Sequence, residues 1–182
     1  MKVDIYTTDK KYNIIYADPP WHYNAWKNGE GIAGNHYKTM KIEEIIKMKD
    51  TIYKISEKDC VLFLWVTFPC LLEGIKTLKE WGFKYRTCGF TWVKRNRVSD
   101  TWFFGLGHWT RANAEICLIA SKGKIKRVSN KAAQIIDTHI EEHSKKPAIV
   151  REKIVELVGD LPRIELFARQ TAEGWDCWGD EV

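Results

Sequence analysis

The sequence lacks the features of several large classes of protein. No apolar run approaches the ~20 residues that a membrane-spanning helix needs, and residues 1–5 lack the apolar core of a secretory signal. A Gly-x-Gly-x-x-Gly fingerprint is absent, which argues against a dinucleotide-dependent dehydrogenase. Repeats, low-complexity segments and Pro/Gly/Ser-rich linkers are absent too, so we expect one domain, residues 1–182.

The cysteines are scattered and show no pairing pattern. The five cysteines lie at positions 60, 70, 88, 117 and 177. An odd number without Cys-x-x-Cys spacing argues against a disulfide framework and against a zinc site. We therefore expect buried, reduced thiols and no metal ligands.

The net charge of +5 becomes informative only where basic residues cluster. Two basic runs occur, at 94–97 and 122–127, and both neighbour aromatic residues in the sequence. Basic side chains beside aromatic ones suit a phosphate backbone and stacked bases. A solvated charged loop explains either run equally well, so charge alone leaves nucleic-acid binding open.

Apolar periodicity predicts strands alternating with helices. Strands are expected at 12–17, 60–66, 83–94, 114–120, 132–136 and 162–167, and helices at 41–54, 69–81 and 147–158. A turn is expected at 56–59, long loops at 22–40 and 95–112, and an irregular tail at 168–182. This alternation is typical of an α/β fold of the Rossmann-like class, with an at least partly parallel sheet.

The most informative stretch is Asp18-Pro19-Pro20-Trp21, directly after the first predicted strand. Two prolines cannot continue a sheet ladder, so the chain must leave the sheet there. Ligands of open α/β sheets bind at the carboxyl ends of strands. The Asp18 carboxylate and the Pro19 carbonyl offer two hydrogen-bond acceptors beside a flat Trp21 ring, an arrangement that suits an exocyclic amine on a planar base.

With this motif the sequence resembles the MT-A70 family of adenine N6-methyltransferases. The resemblance covers nearly the whole chain and rests on further stretches in the family's order: His36-Tyr37-Lys38-Thr39-Met40, Leu62-Phe63-Leu64-Trp65-Val66, Trp92-Val93-Lys94, Gly107-His108-Trp109, Ser144-Lys145-Lys146-Pro147 and Ile164-Glu165-Leu166-Phe167-Ala168-Arg169. It implies a Rossmann-like methyltransferase fold, with a mostly parallel sheet, helices on both faces and a permuted motif order.

The resemblance also implies S-adenosylmethionine as the cofactor and assigns residues to it. The catalytic motif is Asp18, Pro19, Pro20 and Trp21. The cofactor residues are Asp4, Ile5, Asp18, Ser144, Lys146, Phe167, Arg169, Asp180 and Glu181. The tail departs from the family, which usually has Asn-Gln or Asn-Glu where this chain has Asp180-Glu181. Carboxylates also accept hydrogen bonds from ribose hydroxyls, so we expect the tail to bind ribose, with affinity or geometry changed.

Substrate contacts are expected from the motif and from the two long loops. Trp21 and Tyr37 would sandwich a flipped base, and the remaining candidates are His36, Lys94, Arg95, Arg97 and His108. With Arg111 and the run 122–127, the basic residues are expected to grip phosphates.

The sequence therefore predicts an S-adenosylmethionine-dependent adenine N6-methyltransferase that acts on nucleic acid, with DNA favoured over RNA. The compact chain favours a prokaryotic or phage-type enzyme, which we expect in the cytoplasm. Besides nucleic acid, the expected partner is a second copy of the chain in a homodimer or a related subunit in a heterodimer. Two other classes stay open. One is a non-catalytic nucleic-acid-binding subunit of a paired complex. The other is a small-molecule amine methyltransferase, which needs a closed pocket and no nucleic-acid affinity.

Overall fold

A computed structural model of the chain describes residues 1–22, 39–107, 109–141 and 145–182. Its elements are β1 (Tyr12–Ala17), α1 (Ile42–Lys47), α2 (Lys49–Ile55), β2 (Ser56–Val66), a 3-10 turn (Phe68–Cys70), α3 (Leu71–Glu80), β3 (Lys84–Arg95), β4 (Ala114–Lys122), β5 (Ile135–His139), α4 (Ile149–Val158), β6 (Arg163–Leu166) and β7 (Asp176–Trp178). Among these helices, none has the length and apolar character needed to cross a membrane.

Seven strands form one sheet in the order β5-β3-β4-β2-β1-β6-β7. β1 pairs in parallel with β2 and β6, β7 runs parallel to β6, and β5 runs parallel to β3. β4 is antiparallel to both of its neighbours, β2 and β3. The predicted α/β class with a mostly parallel sheet is confirmed, and the sheet is mixed.

Helices cover both faces of the sheet, as predicted. In β2, Leu62 and Leu64 belong to the core cluster that contains the buried residues of α1, α2 and α3. Phe63 and Trp65, which alternate with them, belong to the cluster that contains the buried residues of α4. The continuous apolar run 60–66 is thus explained, because successive side chains enter two different cores.

Three sequence-based element predictions were wrong in detail. The turn expected at 56–59 is the start of β2, where Ser56 pairs with Tyr12. The tail expected to be irregular contains β7, which adds to β6. The single helix expected at 41–54 is two helices separated at Met48. In each case strand pairing or packing outweighed a weak local signal.

The carboxyl ends of β1, β2 and β6 meet at one edge of the sheet, because these strands are parallel. β4 runs in the opposite direction, so its first residues reach the same edge, where Val66 pairs with Ile116. The end of β3 lies there as well, since Val93 pairs with Ala114. Five chain segments, the ends of β1, β2, β3 and β6 and the start of β4, therefore converge at this edge.

Candidate active site

A cavity of about 800 Å³ opens at this edge of the sheet, a size typical of small-molecule sites. The residues that line it come from the ends of β1, β2, β6 and β7, from the start of β4 and from chain segments near residues 40 and 146. They include Asp18, Pro19, Pro20, Trp21, His22, Thr39, Met40, Val66, Thr67, Glu115, Lys146, Phe167, Ala168, Arg169, Trp178, Gly179, Asp180 and Glu181. The predicted motif and most of the predicted cofactor residues therefore share one cavity.

A row of alternating charges begins with three residues of the cavity lining, Asp18, Lys146 and Glu115, and ends at Lys94, outside that lining. The Lys146 Nζ lies 2.8 Å from Asp18 Oδ2 and 3.1 Å from Glu115 Oε2. The other carboxylate oxygen of Glu115 accepts a hydrogen bond of 2.5 Å from the Lys94 Nζ. Lys146 also lies over the Trp65 ring, 5.6 Å from its centroid. The charges of two carboxylates and two ammonium groups thus balance one another where the side chains are largely buried.

The pKa values of these groups follow from burial and from the neighbouring charges. Burial would raise the pKa of Glu115, but Lys146 and Lys94 outweigh burial and lower it to about 2. Burial favours neutral Lys146, yet Asp18 and Glu115 raise its pKa above the ordinary lysine value. Burial raises the pKa of Asp18, and the charge of Lys146 opposes that rise. Lys146 is therefore a cation that favours an ionised Asp18.

The Asp18-Pro19-Pro20-Trp21 segment is held by hydrogen bonds at its ends. The Asp18 N–H donates to the Leu166 carbonyl of β6 at 3.4 Å. The Trp21 N–H donates to the Pro19 carbonyl at 2.8 Å, closing a tight three-residue turn. The Pro19 carbonyl therefore has a partner inside the turn, which the sequence analysis did not foresee. A carbonyl oxygen has two lone pairs, so one acceptor position is left for a ligand.

Trp21 anchors this turn to the sheet. Its side chain is 8% exposed, and its Nε1–H donates to the Trp65 carbonyl at 2.8 Å. The ring belongs to the core and also lines the cavity. The Trp21 ring is thus held in place at the side of the cavity, with its indole N–H already hydrogen-bonded. The stacking of a base on this ring stays a prediction.

We expect Trp21→Phe to lower the free energy of unfolding by about 1 kcal/mol. The phenyl ring keeps most of the packing, but the Trp65 carbonyl loses its donor. Urea denaturation measures the change. Trp109→Phe is the matched control because Trp109 is 95% exposed. Equal stability of the Trp21 and Trp109 variants would contradict the anchoring role.

The other half of the cavity is aromatic and charged. Phe167 has a φ of 61°, a backbone conformation that is rare for residues other than glycine. This conformation turns the chain sharply after β6. The Phe167 ring packs edge-to-face on Trp178, with centroids 5.4 Å apart. Beside them the Arg169 Nε lies 3.4 Å from Glu181 Oε1. These residues present aromatic surface, a guanidinium group and carboxylates to one ligand.

Two residues expected at the cofactor lie elsewhere. Asp4 accepts hydrogen bonds from the Tyr6 N–H at 3.0 Å and from the Thr7 Oγ1 at 3.1 Å, so it closes its own turn. Ile5 is fully buried in the core. Neither belongs to the described lining of the cavity, and their assignment to the cofactor has no support in the structure.

The basic residues predicted to grip phosphates are divided. Lys94 binds Glu115 in the interior. Arg95 donates two hydrogen bonds of 2.6 Å to Asp137, and its guanidinium lies 4.4 Å from the Trp102 ring centroid. Arg95 therefore fixes the loop between β3 and β4, and its guanidinium is engaged in doing so. Arg97 is exposed near the same edge.

The second basic run, 122–127, lies at the opposite edge of the sheet. Lys122 ends β4 and pairs with Cys60, six residues before the end of β2 at Val66. At ~3.3 Å per residue, about 20 Å separate this run from the cavity. The structure therefore does not bring this run next to the other predicted phosphate contacts.

Four predicted site residues, His36, Tyr37, His108 and Ser144, lie outside the described residues. Their predicted roles stay predictions.

Sequence reasoning missed Glu115. It is the second residue of β4 and the partner of both Lys94 and Lys146. A signal was present, because a lone carboxylate in an apolar strand must be paired when it is buried. Trp178 was missed because β7 was missed, and Thr39 and Met40 were noted only as family residues.

The sheet and its cavity are consistent with the α/β fold of S-adenosylmethionine-dependent methyltransferases. A mixed α/β sheet has its ligand site at the carboxyl edge, with an acceptor pair on one side and aromatic and charged groups on the other. The model of the MT-A70 family matches residues 12–181. The chain therefore belongs to the MT-A70 family, as the sequence resemblance predicted.

Individual relatives agree. A Type II methyltransferase, M.MunI, from Mycoplasma sp is 34% identical over 95% of this chain and 78% of its own length. An Arabidopsis thaliana N(6)-adenosine-methyltransferase MT-A70-like protein is 27% identical over 94% of this chain. The mouse N(6)-adenine-specific methyltransferase METTL4 is 25% identical over 95% of it. The chain spans 24% and 38% of these last two proteins.

Methyltransferases of this family use S-adenosylmethionine as methyl donor, and the cavity fits that cofactor. Lys146 and Arg169 are cations suited to a carboxylate, Phe167 and Trp178 offer apolar surface to a planar base, and Glu181 offers acceptors to ribose hydroxyls. All five residues line the same cavity as Asp18.

Proposed function

We propose that this methyltransferase transfers a methyl group from S-adenosylmethionine to N6 of adenine in nucleic acid, with DNA as the favoured substrate. The observation that supports this most directly is the Asp18 carboxylate, which lines the cavity beside the Pro19 carbonyl and is paired with Lys146. An ionised carboxylate and a carbonyl accept the two N–H groups of an exocyclic amine.

The chemical problem is that the lone pair of adenine N6 is delocalised into the ring. Hydrogen bonds from the amine to Asp18 and to Pro19 favour a pyramidal nitrogen whose lone pair is localised. The cofactor supplies an electrophilic methyl group on a sulfonium. The nitrogen–carbon bond forms as the carbon–sulfur bond breaks, and the amine proton then leaves to Asp18 or to water.

Lys146 contributes by its charge. It donates to Asp18 Oδ2 at 2.8 Å, and Oδ1 can accept from the substrate amine. Glu115 holds Lys146 from the other side, so Lys146 does not depend on Asp18 alone for its place. Holding the amine and the methyl donor together in reactive geometry can account for up to ~7–11 kcal/mol of a reaction barrier.

DNA is favoured by the pattern of similarity. Identity is 34% to the bacterial Type II methyltransferase, with most of both chains covered. It is 25–29% to proteins named for N(6)-adenosine, N(6)-adenine or RNA methylation, and the chain covers 23–52% of their lengths. Rates with labelled cofactor on single- and double-stranded DNA and RNA of one sequence test this choice, and faster methylation of RNA would overturn it.

A non-catalytic subunit is the second candidate, and the altered tail favours it. Glu181 is paired with Arg169 instead of presenting an amide to ribose. Calorimetric titration with S-adenosylmethionine discriminates, because a subunit that has lost catalysis through its tail would not bind the cofactor.

We expect Arg97→Glu to weaken nucleic-acid binding and to reduce the slope of log K against log salt by about one. Arg97 is exposed beside the cavity edge, so its guanidinium can pair with a phosphate. The matched control is Arg127→Glu, an exposed arginine at the opposite edge, which should bind as the wild type does. An equal loss of nucleic-acid affinity in both variants would show that the net charge of the protein, and not the position of Arg97, controls binding.

A partner chain is expected at the loop between β3 and β4. Its residues Phe104, Leu106 and Trp109 are exposed, yet the loop is closed by a 2.7 Å hydrogen bond from Gly105 to Ala112. An ordered apolar tip of this kind suits an interface with a second copy of the chain. We expect a homodimer by light scattering that Leu106→Ala weakens and Leu72→Ala, on α3, does not. A monomeric wild type would contradict it.

A further inference from the structure

An ion pair lies in the interior just outside the cavity. Arg151 donates two hydrogen bonds to Glu165, from Nε to Oε2 at 2.6 Å and from a terminal nitrogen to Oε1 at 2.9 Å. The two side chains are 14% and 10% exposed, and neither lines the cavity. A buried ion pair is seldom more stabilising than apolar side chains of the same size, so its geometry needs another explanation.

The sequence positions of the two partners supply one. Glu165 lies in β6, two residues before Phe167, and it pairs with Tyr16 of β1, which is two residues before Asp18. Arg151 lies in the first turn of α4, where its N–H donates to the Ala148 carbonyl. Lys146 lies three residues before Ile149, where α4 begins. A single ion pair therefore joins the segments that carry Asp18, Lys146 and Phe167.

Among the described residues, α4 also packs on the sheet through apolar side chains. Val150, Ile154 and Val158 are buried in the cluster that also contains Tyr16 and Trp175. Apolar contacts are non-directional and allow a helix to shift by small amounts. The two parallel hydrogen bonds of an arginine–carboxylate pair fix both distance and orientation. Such a constraint matters here, because the Lys146 Nζ must meet two carboxylates within 3.1 Å.

We propose that Arg151 and Glu165 are positioning residues, which set the place of the α4 N-terminus, and hence of Lys146, relative to the end of β6. Neither side chain lines the cavity, so both would act through Lys146. A displacement of ~1 Å at a distant residue can reduce a rate by about 10²-fold. The inference rests on the cofactor site of the proposed function and not on the identity of the nucleic acid.

The test compares the single variant Glu165→Gln with the double variant Arg151→Met/Glu165→Met. In the single variant, we expect the dissociation constant and the KM for S-adenosylmethionine to rise at least about tenfold, as for other residues that orient ligand-binding groups. In the double variant, apolar packing restores the melting temperature, but the raised dissociation constant persists. Arg151→Lys keeps the charge without the paired hydrogen bonds. Its dissociation constant for S-adenosylmethionine should lie between those of the wild type and of Glu165→Gln.

Asp160→Asn is the control, because Asp160 pairs with Arg163 at the opposite end of β6. It should leave cofactor affinity unchanged. The inference is overturned if the double variant regains both wild-type melting temperature and wild-type affinity, since the pair would then be structural alone. It is also overturned if Glu165→Gln binds the cofactor normally. Calorimetry measures binding without a nucleic acid, so a wrong substrate assignment cannot produce either result.

Discussion

Asp18→Ala is expected to reduce methyl transfer by about 10³-fold, the loss typical of removing one positioned group at a reacting centre. The variant leaves the amine with one acceptor, the Pro19 carbonyl, which already accepts from Trp21. The nitrogen lone pair then stays delocalised. Single-turnover rates at saturating cofactor measure the loss without a contribution from product release.

The fold should survive this change. Lys146 keeps its contact with Glu115 at 3.1 Å, so no buried cation is left unpaired. Circular dichroism and the melting temperature check this. Asp9→Asn is the control, because Asp9 is fully exposed and pairs weakly with Lys54 at 3.8 Å. A folded Asp18→Ala protein with near-native turnover would refute the role of Asp18.

The pH dependence of the wild-type rate follows from the same carboxylate. Because burial raises the pKa of Asp18 above its ordinary 3.8, the rate should begin to fall, as pH decreases, at a higher pH than for an exposed aspartate.

Lys146→Met is expected to have the second largest effect. Asp18 and Glu115 then face each other without the cation between them. In the proposed binding mode, the carboxylate of the cofactor also loses a cationic partner. Removing one member of a buried ion pair costs about 3–5 kcal/mol of stability. We expect a raised KM for S-adenosylmethionine, a lower kcat and a lower melting temperature together.

The stability loss should depend on pH in a defined direction. The pKa of Glu115 is lowered from 4.5 to about 2, so its ionisation stabilises the fold above pH 4.5 and this contribution is lost as pH falls through about 2. The wild type should therefore exceed Lys146→Met in stability more at pH 7 than at pH 3. The control is Lys10→Met, which removes an exposed lysine from a pair of the same 2.8 Å length, Lys10–Asp176. Identical effects of the two substitutions at both pH values would argue against a buried charge network.

Residues with strong local constraints were the ones the sequence predicted well. Pro19 and Pro20 force the chain out of the sheet, and the strand before them is confirmed as β1. Lys146 comes just before a proline-headed helix, and the structure places it in the cavity. In these cases a few neighbouring residues determine the local structure.

Features that depend on distant pairing were missed. The direction of β4 is set by its pairing with β2 and β3, although the non-helical loop before it was a hint, since parallel neighbours usually need a helical crossover. Arg95 was expected to face phosphate, but its partner Asp137 comes from β5, 42 residues along the chain. Local sequence cannot reveal which charges the sheet brings together.

The identity of the methylated atom tests the account most directly. The protein is incubated with isotopically labelled S-adenosylmethionine and adenine-containing DNA, and the nucleosides are separated and analysed by mass spectrometry. We predict label in N6-methyldeoxyadenosine, reduced to background with Asp18→Ala. Label on another base or at another adenine position, or equal labelling by the Asp18→Ala protein, would contradict the proposal that Asp18 holds the exocyclic amine.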